Sequence, residues 1–467
     1  MTAPLRLAHW ARFLVPLRIP LLVAALLRLG LMLSAFTATG TRVITQGDTL
    51  SYLDPGRNLL LHGAFMVHAL PEIDRTPGYP LFAEITGMAW DNVLLAVAAQ
   101  IFLSLISLLL VRQIADRVFP NRNAGIVAAW LFAVEPLSIV YSVRLMPDTL
   151  FVLLLLLSIE RILAFQSSGR LSTLACAGVS LAAATYVRPV SYYLVLPLAV
   201  SLALTTQKQR GLRWKAPLLL LGIVLPLLFT WQLRNFTETG YSGFSSVVEK
   251  NVYFFQSAEV TAELQHLSLE TEQKQLGYSE DSYYLIAHPD QRAWTQSQRL
   301  SYMRAQSFAI LAAHPALYLK SHFAGVAVVA FTPCATELLQ LLAAYPPAGV
   351  MPHRIVNEGL ATSVKLILAA HPAVAITMAL LFSFLLFLYI AAIGGVLSPG
   401  RNSAAMLTVA GIALYFLLIS GGAQAVGRYR VPVMPELCIL AAGGLTLSRK
   451  TKPRSHNSPA VEIHKVS

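Results

Sequence analysis

Long apolar runs, repeated along most of the chain, constrain this sequence more than any other feature. A helix of about 17–25 apolar residues is long enough to cross the hydrocarbon core of a bilayer. Such runs occur near 17–39, 92–111, 124–142, 148–165, 171–187, 190–206, 216–233, 315–333, 372–397, 404–424 and 431–447. Only 12% of the residues are charged, against about 25% in soluble proteins. The sequence therefore predicts an all-α polytopic membrane protein.

Basic residues predict the orientation, because cytoplasmic loops are enriched in Lys and Arg. Basic clusters lie before the first run, after the second, between 208 and 215, and from 449 onwards. Placing these clusters in the cytoplasm directs two long loops, 40–91 and 235–314, to the opposite face. Parity then requires one more crossing between 334 and 371, around 355–371, giving about 12 spans. The alternative is a re-entrant or surface helix in that stretch, in which case one of the eleven runs is not a span.

The same pattern divides the chain into four parts. Residues 1–234 are expected to form an N-terminal transmembrane module that includes the first outer loop, 40–91, with short amphipathic helices. Residues 235–314 form a small non-cytoplasmic insertion, and 315–447 form the C-terminal transmembrane helices. Residues 448–467 are polar and basic and are expected to be a disordered cytoplasmic tail. The first run lacks a small-residue cleavage site, which indicates a retained span.

Nucleic-acid binding is not expected, although the formal net charge is +12. The basic residues are scattered over short loops and the tail, and they form no stripe interleaved with aromatic residues. The three cysteines, and His62, His68 and His288, have no metal-ligand spacing. Positive charge on cytoplasmic loops explains the excess more simply.

The first outer loop carries the strongest candidate site. Asp48 stands in Gly47-Asp48-Thr49, and Arg75 begins Arg75-Thr76-Pro77-Gly78-Tyr79-Pro80. A carboxylate can take a proton from an incoming hydroxyl, and a guanidinium can neutralise a phosphate leaving group. The pairing indicates chemistry on a lipid phosphate at the membrane surface.

Further ionisable residues fall on the same predicted face. They are Arg144, Asp148, Arg188, Arg428 and Arg430. Arginines on the outer face run against the bias towards cytoplasmic positive charge, so they are informative. Several guanidinium groups near two carboxylates would suit a phosphate or diphosphate headgroup, since each offers paired donors and stays charged.

Each of these residues also has a purely structural interpretation. Asp48 is placed to cap the helix that follows it. Arg144 and Asp148 are four residues apart and could pair with each other. Arg188 could be a snorkelling side chain at a turn. Glu135, in the third apolar run, is expected to be a buried hydrogen-bond partner.

Together these motifs resemble the bacterial family-39 glycosyltransferases of the GT-C superfamily, which includes protein O-mannosyltransferases and lipid A aminoarabinose transferases. The first-loop signature carries the resemblance, with Tyr52 and the stretch from Arg75 to Phe82. The resemblance implies a GT-C-type helix bundle of about 11–13 spans. It also implies a polyprenyl-phosphate-linked sugar donor and a location in the bacterial inner membrane, with the active site on its periplasmic face.

The resemblance also implies roles for single residues. Catalysis would fall to Asp48 and Asp148. Donor phosphate binding would fall to Arg75, Arg188, Arg428 and Arg430. The substrate pocket would include Tyr52, Tyr79 and Arg144. Many eukaryotic relatives have an acidic pair where this chain has Asp48-Thr49, so a bound divalent metal stays an open question.

The implied reaction is a single displacement that inverts the anomeric centre, with a glycan, lipid or protein hydroxyl as the acceptor. The sugar and the acceptor stay open. A transporter or flippase for a lipid-linked or anionic solute is one alternative, although charges at the bilayer midplane and repeated halves would be expected of it. An O-antigen ligase or polymerase is another, but the early Asp48 and Arg75 loop favours the GT-C interpretation.

Overall fold

The computed structural model describes residues 14–120, 123–206, 211–279, 281–346 and 368–446. Helices dominate these ranges, and the strands described there form a single two-stranded hairpin. The protein is thus an all-α, polytopic integral membrane protein, which confirms the predicted fold class. The predicted tail 448–467 and most of the predicted crossing at 355–371 lie outside the described residues.

The N-terminal part contains ten α-helices within its described residues. They are α1 (Arg18–Thr39), α2 (Thr49–His62), α3 (Gly78–Thr86), α4 (Val93–Val118), α5 (Ala124–Val134), α6 (Pro136–Val143), α7 (Asp148–Ser168), α8 (Leu171–Val187), α9 (Val195–Thr205) and α10 (Lys215–Thr239). Helices α2 and α3 lie in the first loop, with a hairpin between them, β1 (Met66–Val67) and β2 (Leu70–Pro71). Its strands are antiparallel, with Met66 opposite Pro71.

The predicted insertion is built from short helices. They are α11 (Val247–Asn251), a π-helix (Val252–Ser257), α12 (Ala258–Gln265), α13 (Leu269–Gln275), α14 (Asp281–Ala287) and α15 (Gln296–Ala313). The side chains of Thr295 and Gln298 form a capping box that starts α15. Buried aromatic residues, including Tyr253, Phe254 and Tyr284, form a small core of their own.

The C-terminal part completes the bundle. Its described helices are α16 (Pro315–Phe331), α17 (Ala335–Leu341), α18 (Pro372–Leu397), α19 (Ser403–Ile419) and α20 (Met434–Leu445), with a 3-10 helix (Gly427–Val433) before α20. Helix α20 packs against α18, α5 and α4, and α7 packs against α8 and α4. The N-terminal and C-terminal helices therefore share one hydrophobic core.

The number of spans stays a prediction. Of the described helices, α1, α4, α10 and α18 are each long and apolar enough to cross a membrane. Two bent pairs would raise this number to 6 if each pair is one span: α5 with α6, and α16 with α17. The bend of 54° between α5 and α6 falls at Glu135, before Pro136. A proline ring cannot continue the preceding helix, so the bend has a local cause.

Glu135 is a buried hydrogen-bond partner, as predicted. Its side chain is 2% exposed. The carboxylate accepts hydrogen bonds from the backbone N–H groups of Leu137 (2.9 Å) and Ser138 (2.6 Å). It therefore caps the start of α6 and satisfies donors that the proline break leaves without partners.

Candidate active site

Asp48 lies directly before α2 but does not cap it. Its carboxylate makes no capping hydrogen bond, which excludes capping as the role of this side chain. One carboxylate oxygen lies 3.7 Å from Arg75 Nη2, and the other lies 3.3 Å from Arg428 Nη1. The side chain is 52% exposed. An accessible carboxylate between two guanidinium groups can exchange a proton with a ligand.

Arg75 is oriented by the helix that follows Asp48. Its Nε donates to Ser51 Oγ (3.0 Å), and its Nη1 donates to the Tyr52 hydroxyl (3.2 Å). The guanidinium carbon also lies 4.4 Å from the centre of the Tyr52 ring, within the range of a cation–π interaction. The loop before Arg75 is held by Glu72, whose carboxylate accepts the Arg75 N–H at 2.8 Å. Burial, together with the Asp74 carboxylate, raises the pKa of Glu72.

Asp148 is the buried anchor of the arginines. Its side chain is fully buried at the start of α7, and Arg188 donates a hydrogen bond to it. Arg428 donates to the same carboxylate through Nε (3.1 Å) and Nη2 (2.9 Å). Burial opposes the charge of Arg428, but the Asp148 carboxylate outweighs it and holds the pKa of Arg428 above its usual value. One guanidinium thus bridges Asp48 and Asp148.

Asp48, Arg75, Asp148, Arg188 and Arg428 thus form one charged cluster. A cavity of about 320 Å³ opens beside this cluster. Of the predicted site residues, it is lined by Asp48, Tyr52, Arg75, Arg188 and Arg428. Its other polar lining residues are Asp74, Thr76, Tyr193, Asn251, Gln256, Ser420, Gln424 and Tyr429. Its apolar lining residues include Val187, Val190, Val248, Val252, Phe416 and Ile419. A wall with a charged part and an apolar part suits an amphipathic ligand.

Four predicted site residues are absent from this lining. Asp148 is buried against Arg188 and Arg428, and Tyr79, Arg144 and Arg430 have other contacts. Tyr79 is fully buried, with its hydroxyl donating to Gln100 (2.8 Å) and its ring packed edge-on against Tyr52. Arg144 donates to Gln340 at 2.6 Å, and no hydrogen bond or ion pair between it and Asp148 is found among the described residues. The predicted Arg144–Asp148 pairing is therefore replaced by the Arg188 and Arg428 pairs.

Arg430 is buried and directed towards the end of α16. Its guanidinium donates to the backbone carbonyls of Val329, Ala330 and Thr332. These carbonyls end a helix and have no partner within it, so Arg430 acts as a C-terminal cap. Arg430, like Tyr79 and Arg144, does not line the cavity.

The insertion supplies a wall of the cavity that the sequence interpretation missed. Lys250 Nζ lies 2.6 Å from an Asp74 carboxylate oxygen, and Ser246 donates to the other oxygen. The Ser245 hydroxyl donates to the Asp74 carbonyl (2.6 Å). Burial works against the charge of Asp74, but Lys250 and Ser246 hold the pKa of its carboxyl below the usual value. No sequence pattern relates Asp74 to residues about 170 positions away, so only the tertiary structure shows this contact.

Tyr278, also in the insertion, is under the electrostatic influence of Asp48. Its side chain is 42% exposed, and its ring packs against Phe254 and Phe255. Burial raises the pKa of the Tyr278 hydroxyl, and the charge of Asp48 raises it further.

A divalent metal does not fit the donor set at Asp48. The charged groups nearest its carboxylate are the guanidinium groups of Arg75 and Arg428. The second carboxylate, Asp148, is buried against Arg188 and Arg428. Among the described residues no three His, Cys, Asp or Glu side chains are grouped so that they could hold a metal ion.

The fold of the whole chain is similar to that of solved structures. The crystal structure of the Archaeoglobus fulgidus oligosaccharyltransferase in the apo form superimposes with a TM-score of 0.51 and 14% identity, over 93% of this chain and 50% of that chain. The present chain therefore has a GT-C fold. The chain spans about half the length of that oligosaccharyltransferase.

Two further structures of the same archaeal enzyme are similar to this chain at lower scores. One, in complex with an inhibitory peptide and a dolichol-phosphate, has a TM-score of 0.44 and 12% identity, over 92% of this chain and 50% of that one. The other, tethered to an acceptor peptide, has a TM-score of 0.48 and 11% identity, over 94% and 50%. The GT-C assignment rests on the apo structure.

In sequence, residues 74–232 match the family model described as dolichyl-phosphate-mannose-protein mannosyltransferase. No curated protein matches the chain. The matched segment is about a third of this chain and contains Arg75, Asp148 and Arg188. Asp48 and Arg428 lie outside it, and they join the cluster only through the tertiary structure.

Proposed function

We propose that this protein is an inverting glycosyltransferase that moves a sugar from a polyprenyl-phosphate donor to an acceptor hydroxyl. The observation that carries the proposal is the accessible Asp48 carboxylate on the wall of a cavity that Arg75, Arg188 and Arg428 also line. The match to a mannosyltransferase family model and the fold shared with an oligosaccharyltransferase support it. We place the reaction on the non-cytoplasmic face of a bacterial inner membrane, following the predicted orientation.

In the proposed reaction Asp48 is the general base. It takes the proton of the acceptor hydroxyl as that oxygen attacks the anomeric carbon of the donor sugar. The bond between that carbon and the phosphate oxygen breaks, and the lipid phosphate leaves with the electron pair. General-base assistance contributes about 10²–10⁴-fold in rate.

The arginines stabilise the leaving phosphate. Three guanidinium groups face two carboxylates, Asp48 and Asp148, so the cluster keeps a net positive charge. Because Asp148 holds Arg188 and Arg428 in place, they need little reorganisation when charge develops on the phosphate. We assign Asp148 as a positioning residue, since it is fully buried behind the arginines.

The acceptor would approach from the side of the insertion. Tyr278 belongs to the insertion and is partly exposed, and the charge of Asp48 acts on its hydroxyl. An aromatic side chain at that position can pack against an acceptor while its hydroxyl offers a hydrogen bond. The donor phosphate would occupy the opposite, arginine-lined side of the same carboxylate.

The experiment compares Asp48→Asn with wild type in membrane vesicles supplied with a panel of radiolabelled polyprenyl-phosphate sugars. Asn keeps the side-chain shape but cannot accept the proton, so we expect label transfer to fall at least about 100-fold. The control is Asp54→Asn, because Asp54 is an exposed carboxylate on the same helix, α2.

Transfer that survives Asp48→Asn would remove Asp48 from the mechanism. Label that crosses the bilayer without joining an acceptor, equally in wild type and variant, would instead support the transporter alternative.

A further inference from the structure

The wall of the cavity formed by the insertion contains a π-helix, a rare element that is often found at functional sites. Asn251 ends α11, and Gln256 lies within the π-helix that follows. In an α-helix, residues five apart point about 140° away from each other. The wider turn of the π-helix reduces that angle, and both amides line the same cavity.

A third amide reaches this wall from the other half of the chain. Gly422 has a φ of +100°, a conformation that other residues rarely adopt. A Cβ atom there would lie 3.2 Å from Gln424 Oε1 and 3.3 Å from Gln256 Nε2. Glycine thus lets Gln256 and Gln424 approach the same piece of backbone.

The side-chain oxygen of Gln424 lacks a hydrogen-bond donor among the described residues. This Oε1 atom is buried. Buried polar atoms are normally hydrogen-bonded, so an exception in a residue that lines the cavity makes that amide a candidate partner for a ligand donor. A ligand hydroxyl is the simplest donor of matching size.

The chemistry of this wall selects a ligand class. A side-chain amide can both donate and accept, as a sugar hydroxyl can. Asp74, the carboxylate that lines this cavity besides Asp48, is paired with Lys250 and Ser246. An amino or carboxylate group placed against the amides would be desolvated without an opposite charge.

We propose that Asn251, Gln256 and Gln424 form the subsite for the transferred sugar, and that this sugar is neutral and polyhydroxylated. The inference rests on the proposed function, because it assigns the sugar moiety of the lipid-linked donor. It names a substrate class that the charged cluster alone does not specify.

The experiment measures binding of two lipids to purified protein: a bare polyprenyl phosphate and the same lipid carrying a neutral hexose. In Gln256→Leu, which keeps the side-chain size but removes the amide, we expect affinity for the glycosylated lipid to fall about tenfold. Affinity for the bare lipid should stay within about twofold, since the arginine cluster is untouched. The control is Gln265→Leu, an exposed amide of the same insertion.

Three outcomes would overturn the assignment. Wild-type affinities for both lipids in Gln256→Leu would show that the amide does not contact the sugar. An equal loss for both lipids would show a structural role. Preference of wild type for an amino-sugar or uronic-acid lipid over the hexose lipid would exclude the neutral class.

Failure of the subsite and failure of the proposed function give different results in this experiment. If wild type bound neither lipid, the proposed function itself would fail, and the subsite with it. If wild type bound both lipids and only the effect of Gln256→Leu were missing, the subsite alone would fail.

Discussion

At the scale of single residues, the two neighbouring arginines Arg428 and Arg430 have different tasks. They are two positions apart in a 3-10 helix, which has three residues per turn, so they point to different sides. Arg428 points to Asp48 and Asp148, whereas Arg430 points to the carbonyls that end α16. Two arginines of the same 3-10 helix thus have different roles: Arg428 is a candidate ligand contact, and Arg430 caps a helix.

Replacing each arginine by lysine should separate these tasks. Lysine keeps the charge but cannot span the several acceptors that each guanidinium reaches. We expect Arg428→Lys to raise the donor KM about tenfold or more in the transfer assay. We expect Arg430→Lys to lower stability by about 1–3 kcal/mol, because buried carbonyls lose their donors, while its donor KM stays within about twofold of wild type.

Thermal unfolding in detergent and donor titration distinguish the two variants. A raised KM in Arg430→Lys without a change in the melting temperature would restore Arg430 to the donor phosphate site, as the sequence had suggested.

At the scale of elements, the first loop and the insertion form one wall through a small set of polar contacts. Arg234, at the end of α10, donates to the carbonyls of Phe65 and Glu72, each at 2.6 Å. Lys250 pairs with Asp74, and the Ser246 N–H donates to the Ile73 carbonyl (2.9 Å). These contacts fix the segment that ends in Arg75.

Breaking the Lys250–Asp74 pair should loosen both elements together. We expect Lys250→Met to speed hydrogen exchange about five- to tenfold in segments 72–77 and 245–252, because a partly buried ion pair contributes about 1 kcal/mol. Transfer activity should fall as Arg75 loses its fixed position.

The matched control is Lys274→Met, since Lys274 is exposed and pairs with Glu270 one helical turn away. Exchange that speeds up in only one of the two segments of Lys250→Met would show that the first loop and the insertion are not coupled through this pair.

At the scale of the whole molecule, the candidate site lies at one end of the helix bundle. Helix α7 begins at Asp148 in the site and ends at Ser168. Its length of about 32 Å is close to the thickness of the hydrocarbon core. Although α7 is not among the helices that qualify as spans by length and composition, it packs against α4, which is. The apolar run predicted at 148–165 then places the two ends of α7 on opposite sides of the membrane.

Thiol labelling tests which side carries the site. In a Cys176→Ala background, where Cys334 and Cys438 are buried, Asp54→Cys should react with a membrane-impermeant maleimide in intact cells. Ser168→Cys should react only after permeabilisation, because the predicted orientation places it in the cytoplasm. The reverse pattern would place the site on the cytoplasmic face and contradict the orientation.

The sequence by itself determined the class of the fold and the loop that carries Asp48 and Arg75. Both follow from local properties, since the length of an apolar run and the position of charges between runs are readable without knowing what packs against what. The structure confirmed Glu135 as a buried hydrogen-bond partner for the same reason: a polar residue before a proline break has nearby donors to satisfy.

Only the tertiary structure decided which polar residues meet. Gly78 of the first loop lies so close to Tyr186 that a Cβ atom would stand 2.7 Å from its carbonyl oxygen, and this contact sets Arg75 beside the turn that carries Arg188. Helices far apart in sequence likewise determine the partners of Asp148 and the burial of Tyr79. They also bring Asn251 and Gln256 of the insertion together with Gln424. Side-chain direction in a packed bundle follows from those neighbours, and no local pattern encodes them.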